Sequence, residues 1–317
     1  MDISRITQEI KNFVLNEAGM DKVGIAPVSR FNGAPEGTHP TDFLPGCKSI
    51  IGFCIRVPDG AVQSCFRAYE DGLKSAHGIY GTFGYTIAPN FHLHFGNYRI
   101  SQFVEKMTGE KAAPCAAGPM QGAPQMSMRH CAVACGLGEF GWSSIVLTPE
   151  FGPRNRFGAV LTTAELEYDP MYEGPRLCDP SKCHVCQKLC PTHAIPEYNE
   201  ELARHVYMED QDITYSAINW NRCKLSCHSL LRTIVNSRDL IEPSNTNPTD
   251  EDLGPAIDKT VEMTFLQRDM EGASDSIQHS STWKCGNCLT YCPVGNWRER
   301  FYDTGLSRVD TSRFIDE

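Results

Sequence analysis

Apolar residues recur at helical spacing along 3–18, at Ile3, Ile6, Ile10, Phe13 and Val14, which predicts an amphipathic helix ended by Gly19. Residues 21–27 read as a short strand entering a turn. Residues 49–57 are continuously apolar after the Leu44-Pro45-Gly46 breaker, the pattern of a buried strand. Helices are expected over 61–79 and 97–108, with the glycine-rich stretch 78–84 between them, and over 126–135, where Gly136-Leu137-Gly138 ends the pattern. Residues 144–148 and 157–163 read as strands, and the turn between them suggests a hairpin with a long loop.

From Cys178 onward cysteine and proline punctuate the chain, and 242–256 is a polar insertion. The pattern predicts an α+β chain of two domains, 1–172 and 173–317, with the boundary in the segment 168–176. Hydrophobic content of 41% suffices for a buried core. The net charge is −10, from 29 basic and 39 acidic residues, which argues against a nucleic-acid partner. No apolar run reaches the length of a membrane span, and the first residues show neither an apolar signal core nor a twin-arginine pair. A cytoplasmic location is the expectation. Fifteen cysteines in that setting point to metal ligands or buried thiols rather than disulfides.

Cys178, Cys183, Cys186 and Cys190 precede Pro191 with the spacing C-x4-C-x2-C-x3-C-P. The bacterial ferredoxin run differs only in a shorter first gap. Closely spaced thiolates cap one iron–sulfur cube, and the cysteine before proline points to another. A second run, Cys285-x2-Cys288-x3-Cys292-Pro293, has Thr282 where its first cysteine would stand. Cys223 or Cys227 can supply the missing corner. The expectation is two 4Fe–4S clusters in a ferredoxin-like domain, one held by Cys178, Cys183, Cys186 and Cys292, the other by Cys190, Cys223, Cys285 and Cys288. Zinc has no use for the two C-x3-C-P endings. Cys47, Cys54, Cys65, Cys115, Cys131 and Cys135 show no ligand spacing and read as small buried hydrophobes.

Gly136-Leu137-Gly138 with Gly141, then Thr148-Pro149-Glu150-Phe151-Gly152-Pro153, a strand, and the first cysteine run follow in an order that resembles the corrinoid-dependent reductases, the reductive dehalogenases and epoxyqueuosine reductase. Val23-Gly24-Ile25-Ala26-Pro27 and Leu44-Pro45-Gly46-Cys47-Lys48-Ser49-Ile50-Ile51 are similar to segments of epoxyqueuosine reductases. The resemblance implies a nitroreductase-like core that binds cobalamin, with clusters feeding electrons to the cobalt. Gly136, Leu137, Gly138, Gly141, Trp142, Pro149 and Arg154 then become cofactor-binding candidates. The glycines would let backbone lie against a flat macrocycle, or would simply cap a helix and make a tight turn. Arg154 and Arg156 would meet cofactor amide or phosphate groups, or sit in a solvated loop. Trp142, Phe151 and Phe157 read as core or macrocycle-packing residues.

A dehalogenase-like site uses a phenol flanked by a cation, so Tyr98 is the proton-donor candidate, with Arg99 and Arg129 as cations. The epoxyqueuosine reductases' Asp-Tyr-His motif is Asn97-Tyr98-Arg99 here, and their catalytic aspartate falls near Gln121 or Gly122. A counterpart of their tRNA-binding extension is not expected after Cys292, nor is the export signal typical of respiratory dehalogenases. The implied function is a cobalamin-dependent iron–sulfur reductase of a small organic substrate, supplied by a ferredoxin or flavodoxin that docks near Lys182, Lys188, Lys284 or Arg298. The alternative is a corrinoid-free electron-transfer protein or a reductive activator of a partner enzyme.

Overall fold

The computed structural model describes residues 2–85, 87–115, 126–227, 285–295 and 307–316. Met120, Gln121, Gly122, Thr282, Lys284, Arg298 and the polar insertion lie outside them. Asp2 caps α1 (Ile3–Asn12), its carboxylate accepting from the Arg5 backbone, and a π-turn continues the helix. Then come β1 (Lys22–Pro27), α2 (Pro40–Phe43), β2 (Ser49–Arg56), α3 (Asp59–Asp71), α4 (Lys74–Ile79) and the long α5 (Ile87–Thr108). The chain proceeds through β3 (Ala112–Pro114), α6 (Met128–Ala134), β4 (Glu139–Phe140), β5 (Val146–Leu147) and β6 (Asn155–Thr162).

β1, β2, β6 and β3 form one antiparallel sheet in that order. Register sorts its side chains by the strand period of two. Ile25, Ile51 and Val160 stand in one row and pack with Ile10 of α1, Val14 of the π-turn, and Leu93 and Ile100 of α5. Ala26, Ile50 and Leu161 stand in the next row, on the other face, and pack with Cys131 to Ala134 of α6 and with its cap, Cys135. Cys47, Cys54, Cys65, Cys131 and Cys135 are buried free thiols, as their apolar contexts suggest, whereas Cys115 is only partly buried.

Three expectations change. The stretch 61–79 is two helices, broken where Gly72 takes φ +67°, a left-handed conformation that stops α3. The expected hairpin of 144–148 with 157–163 does not form. β5 pairs with β4, whereas β6 pairs with β2 and β3, because the intervening turn closes on itself through Thr148 and Gly152 (2.9 and 2.8 Å). The second half also carries a hairpin that the reading above lacks, β7 (Ala203–Met208) with β8 (Gln211–Ser216). Its signal is present in the sequence: Val206 and Met208, then Ile213 and Tyr215, alternate around the two-residue Glu209-Asp210 turn.

Three short helices carry cysteines: α7 (Val185–Lys188), α8 (Trp220–Cys227) and α9 (Asn287–Thr290). Arg30, 7% exposed, binds the hairpin to the core, donating to the carbonyls of Ala134 (2.6 Å) and Asp169 (2.8 Å) and to Glu209 (2.9 Å). Among the described residues no helix is long and apolar enough to cross a membrane.

Candidate redox site

The two cysteine runs pack against one another. α7 places Cys186 and α9 places Cys288, and the Asn287 side-chain amide donates to the Leu189 carbonyl at 2.9 Å. Phe66 of α3 packs on Tyr291 with ring centroids 4.9 Å apart. A Cβ at Gly286 would meet the Tyr80 hydroxyl at 2.2 Å, so the second run is seated on the core with no room to spare.

The thiols sort into two groups by their electrostatic neighbours. Burial pushes the Cys178 thiol up to about 12, and Cys292 and Cys183 add to the rise. Burial also raises Cys186 well above the usual range, and its further neighbours are Cys178, Cys292 and Cys183. Cys288, raised by burial, has Cys285, Cys223 and Cys190 around it, with Cys186 beyond. Cys227 lies at the end of α8. No three His, Cys, Asp or Glu side chains among the described residues converge as a single metal ion requires.

Backbone donors are already aimed at the sulfurs. Trp142 N–H donates to Cys178 Sγ at 3.4 Å and Ala194 N–H to Cys190 Sγ at 3.2 Å. Glu139 accepts from the N–H groups of Leu177 (2.5 Å) and Cys178 (3.2 Å), fixing the start of the first run. Trp142 is 4% exposed and bonds the Pro196 carbonyl at 2.9 Å, so it joins the core to the cysteine loops.

The glycine turn is filled by the chain itself. Gly136 has φ +73°, and a Cβ there would lie 2.2 Å from the Pro170 carbonyl oxygen. A Cβ at Gly138 would lie 1.9 Å from the Leu147 carbonyl oxygen, and one at Gly141 would lie 3.0 Å from the Leu147 side chain. The approach these glycines permit is therefore protein on protein. Leu137 is 2% exposed in the core under α6. Pro149 is half-buried in the turn after β5. A cavity of about 220 Å³ opens beside Gly138, between Phe140, Met171, Arg176 and Ile213.

Tyr98, Arg99 and Arg129 are not gathered. Tyr98 is 58% exposed on α5 and accepts from Gln102 at 3.1 Å. Arg99 turns away, donating to the Glu17 carbonyl at 2.6 Å and lying over Phe13. Consecutive helical residues point about 100° apart, so the pair cannot share a target. Arg129 lies elsewhere: it donates to the Ser144 carbonyl at 2.5 Å and covers the Trp220 ring at 5.1 Å. Its titratable neighbours are Tyr215, Cys223 and Tyr85, and burial pulls its pKa below the usual value.

Reading by residue type named Arg129 but missed the phenol beside it, Tyr215. Tyr215 stacks on Phe140 with centroids 4.4 Å apart and meets His130 Nε2 at 3.1 Å, while His130 Nδ1 meets Ser127 Oγ at 2.7 Å. Burial, then the Arg129 charge, pushes His130 down to about 4. Tyr85 lies under Arg156, 4.9 Å from ring centroid to guanidinium. Phenols beside cations thus occur at Tyr215, near Arg129, and at Tyr85, under Arg156, rather than at Tyr98. The spacing Tyr215-x7-Cys223 was available as a signal, but only tertiary contact supplies the Arg129 partner.

No family model matches the chain. A stretch of 100 residues is 38% identical to tetrachloroethene reductive dehalogenase of Dehalobacter restrictus, and equally to that of Desulfitobacterium hafniense. The chain is similar to reductive dehalogenases. The match spans 31% of this chain and only 16% of either relative's length. Among solved structures, epoxyqueuosine reductase bound to a tRNA stem loop superposes with a TM-score of 0.52 at 15% identity, over 98% of this chain and 71% of that one. The Bacillus subtilis epoxyqueuosine reductase gives 0.51 at 15% identity, with the same coverage. The mixed helix-and-sheet fold is thus shared with that reductase, and both groups of similar proteins are oxidoreductases.

Proposed function

We propose that the protein is a two-cluster iron–sulfur reductase of a small organic substrate. The observation that carries this reading is the sorting of eight cysteines into two neighbouring groups of four. Cys178, Cys183, Cys186 and Cys292 would hold one 4Fe–4S cluster, and Cys190, Cys223, Cys285 and Cys288 the other. When bound, such clusters supply one-electron transfer over a wide span of potential. The chain's own residues do the rest. Trp142 and Ala194 N–H groups donate to sulfur, and Asn287 keeps the two runs at one separation. Arg129 offers a fixed positive charge beside Cys223. Tyr215 holds a proton at its hydroxyl, against neutral His130 backed by Ser127, where a reduced substrate can be protonated.

The reading includes a corrinoid, supported by the similarity to reductive dehalogenases. The packed glycine turn does not supply its floor. That packing favours, as a second reading, a corrinoid-free electron-transfer protein or reductive activator. A tRNA stem loop is the ligand of one structural neighbour, which makes RNA the competing substrate class; the charge of −10 weighs against it. An electrophoretic shift with tRNA at low salt tests that competitor. A ferredoxin or flavodoxin is the proposed donor. Lys182 is exposed for such docking, whereas Lys188 is paired with Glu197 at 2.5 Å.

The test is elemental analysis of protein purified without oxygen. About eight irons and eight sulfides per chain are expected; about four would sink the two-cluster reading. Cobalt near one per chain supports the corrinoid, and its absence after reconstitution with cobalamin favours the second reading. Cys223→Ala should remove one cluster's signal; if Cys227→Ala does so instead, the eighth ligand is Cys227.

A further inference from the structure

The turn between β5 and β6 carries a buried cation with no part in the proposed chemistry. Arg154 is 1% exposed and reaches into the second cysteine run. Its Nη1 donates to the Cys292 carbonyl at 3.0 Å and to the Leu289 carbonyl at 3.4 Å, and its Nη2 donates to the Val294 carbonyl. The two backbones meet closely around it. A Cβ at Gly152, whose φ is +56°, would lie 2.1 Å from the Val294 carbonyl oxygen, and one at Gly295 would lie 2.7 Å from the Gly152 nitrogen. The seat fixes the guanidinium next to Cys292.

A clamp alone needs donors, which a neutral amide also provides. Arginine adds a full charge in a poorly screened interior. Net charge and hydrogen bonding around a cluster set its reduction potential, and a fixed positive charge favours the reduced form. We propose that Arg154 is a positioning residue that raises the reduction potential of the cluster held through Cys292 above that of its neighbour. This rests on the two-cluster reading. It makes the Cys292 group the preferred site for an electron delivered to the pair.

The test is a potentiometric titration with dithionite, followed by EPR, on wild type, Arg154→Lys and Arg154→Gln, with iron counted in each. Both replacements can donate to a carbonyl, but only lysine keeps the charge. Gln should move one of the two reduction waves to lower potential and leave the other in place, and Lys should titrate like wild type. A Gln wave at the wild-type position, or a Lys wave that falls with Gln, would overturn the proposal and leave Arg154 a clamp. Should Gln fail to retain iron, Arg154→citrulline keeps the shape and the N–H donors of arginine without its charge. It should lower the same wave, and an unmoved wave again overturns the proposal. Wild-type protein with about four irons would instead sink the two-cluster reading itself.

Discussion

The Asn287 side-chain amide donates to the Leu189 carbonyl at 2.9 Å and ties together two cysteine runs 98 residues apart. Leu189 immediately precedes Cys190, and Asn287 immediately precedes Cys288. The bond therefore joins the backbone of one run to the helix of the other at the place where the second group of thiols assembles.

Asn287→Leu removes that donor and leaves the Leu189 carbonyl without it. The expected cost is about 1–2 kcal/mol. Urea unfolding of the iron-loaded protein measures it. The variant should also lose iron faster to a chelator than wild type does, and equal rates would show that the bond does not hold the runs in register.

Gly138→Ala separates the two explanations of the glycine turn. The added methyl would meet the Leu147 carbonyl oxygen at 1.9 Å. Backbone cannot yield there as a side-chain end can, so the fold should lose at least about 2 kcal/mol. Thermal unfolding of protein stripped of every cofactor checks this. A wild-type melting temperature would show that the turn is free to accept a side chain.

His130 should make stability pH-dependent. Its ring is enclosed by Ser127, Tyr215 and Phe140, with Arg129 nearby. The folded pKa, near 4, lies below the ordinary 6.5. Between those values the unfolded chain binds the proton that the folded chain refuses. The contribution is thus complete above pH 6.5 and is lost as pH falls towards 4. His130→Gln should flatten the slope of unfolding free energy over that window; an unchanged slope would assign it to other groups.

Glu70 anchors the tail 307–316. Its carboxylate accepts from the Tyr291 hydroxyl at 3.1 Å, from the Arg308 N–H at 2.6 Å and from the Ser307 hydroxyl. Burial, with Glu70 next, raises the Tyr291 pKa. The tail then bridges Cys183 through Ile315 and accepts the His184 N–H at the Phe314 carbonyl, 2.8 Å away. Glu70→Ala should cost roughly 2–3 kcal/mol and expose the tail to proteolysis, while Glu70→Gln, which keeps an acceptor, should cost less. Cleavage of the tail at the wild-type rate in Glu70→Ala would refute the anchor.

The cysteine runs were legible in the sequence because their spacing is local. Thiols two or three residues apart are brought together by one turn, whatever the rest of the chain does. The same holds for α1, β1, β2 and α6, whose apolar periods and end signals lie within each segment. What the tertiary structure alone decided was long-range. β6 joined β2 rather than β5 because strand pairing depends on register across the sheet. The glycine turn met Leu147 and Pro170, contacts no spacing announces. Arg154 reached carbonyls some 140 residues away, and Arg129, not Arg99, became the cation beside a phenol. A side chain's partner depends on where its backbone is carried, and only the packed core determines that.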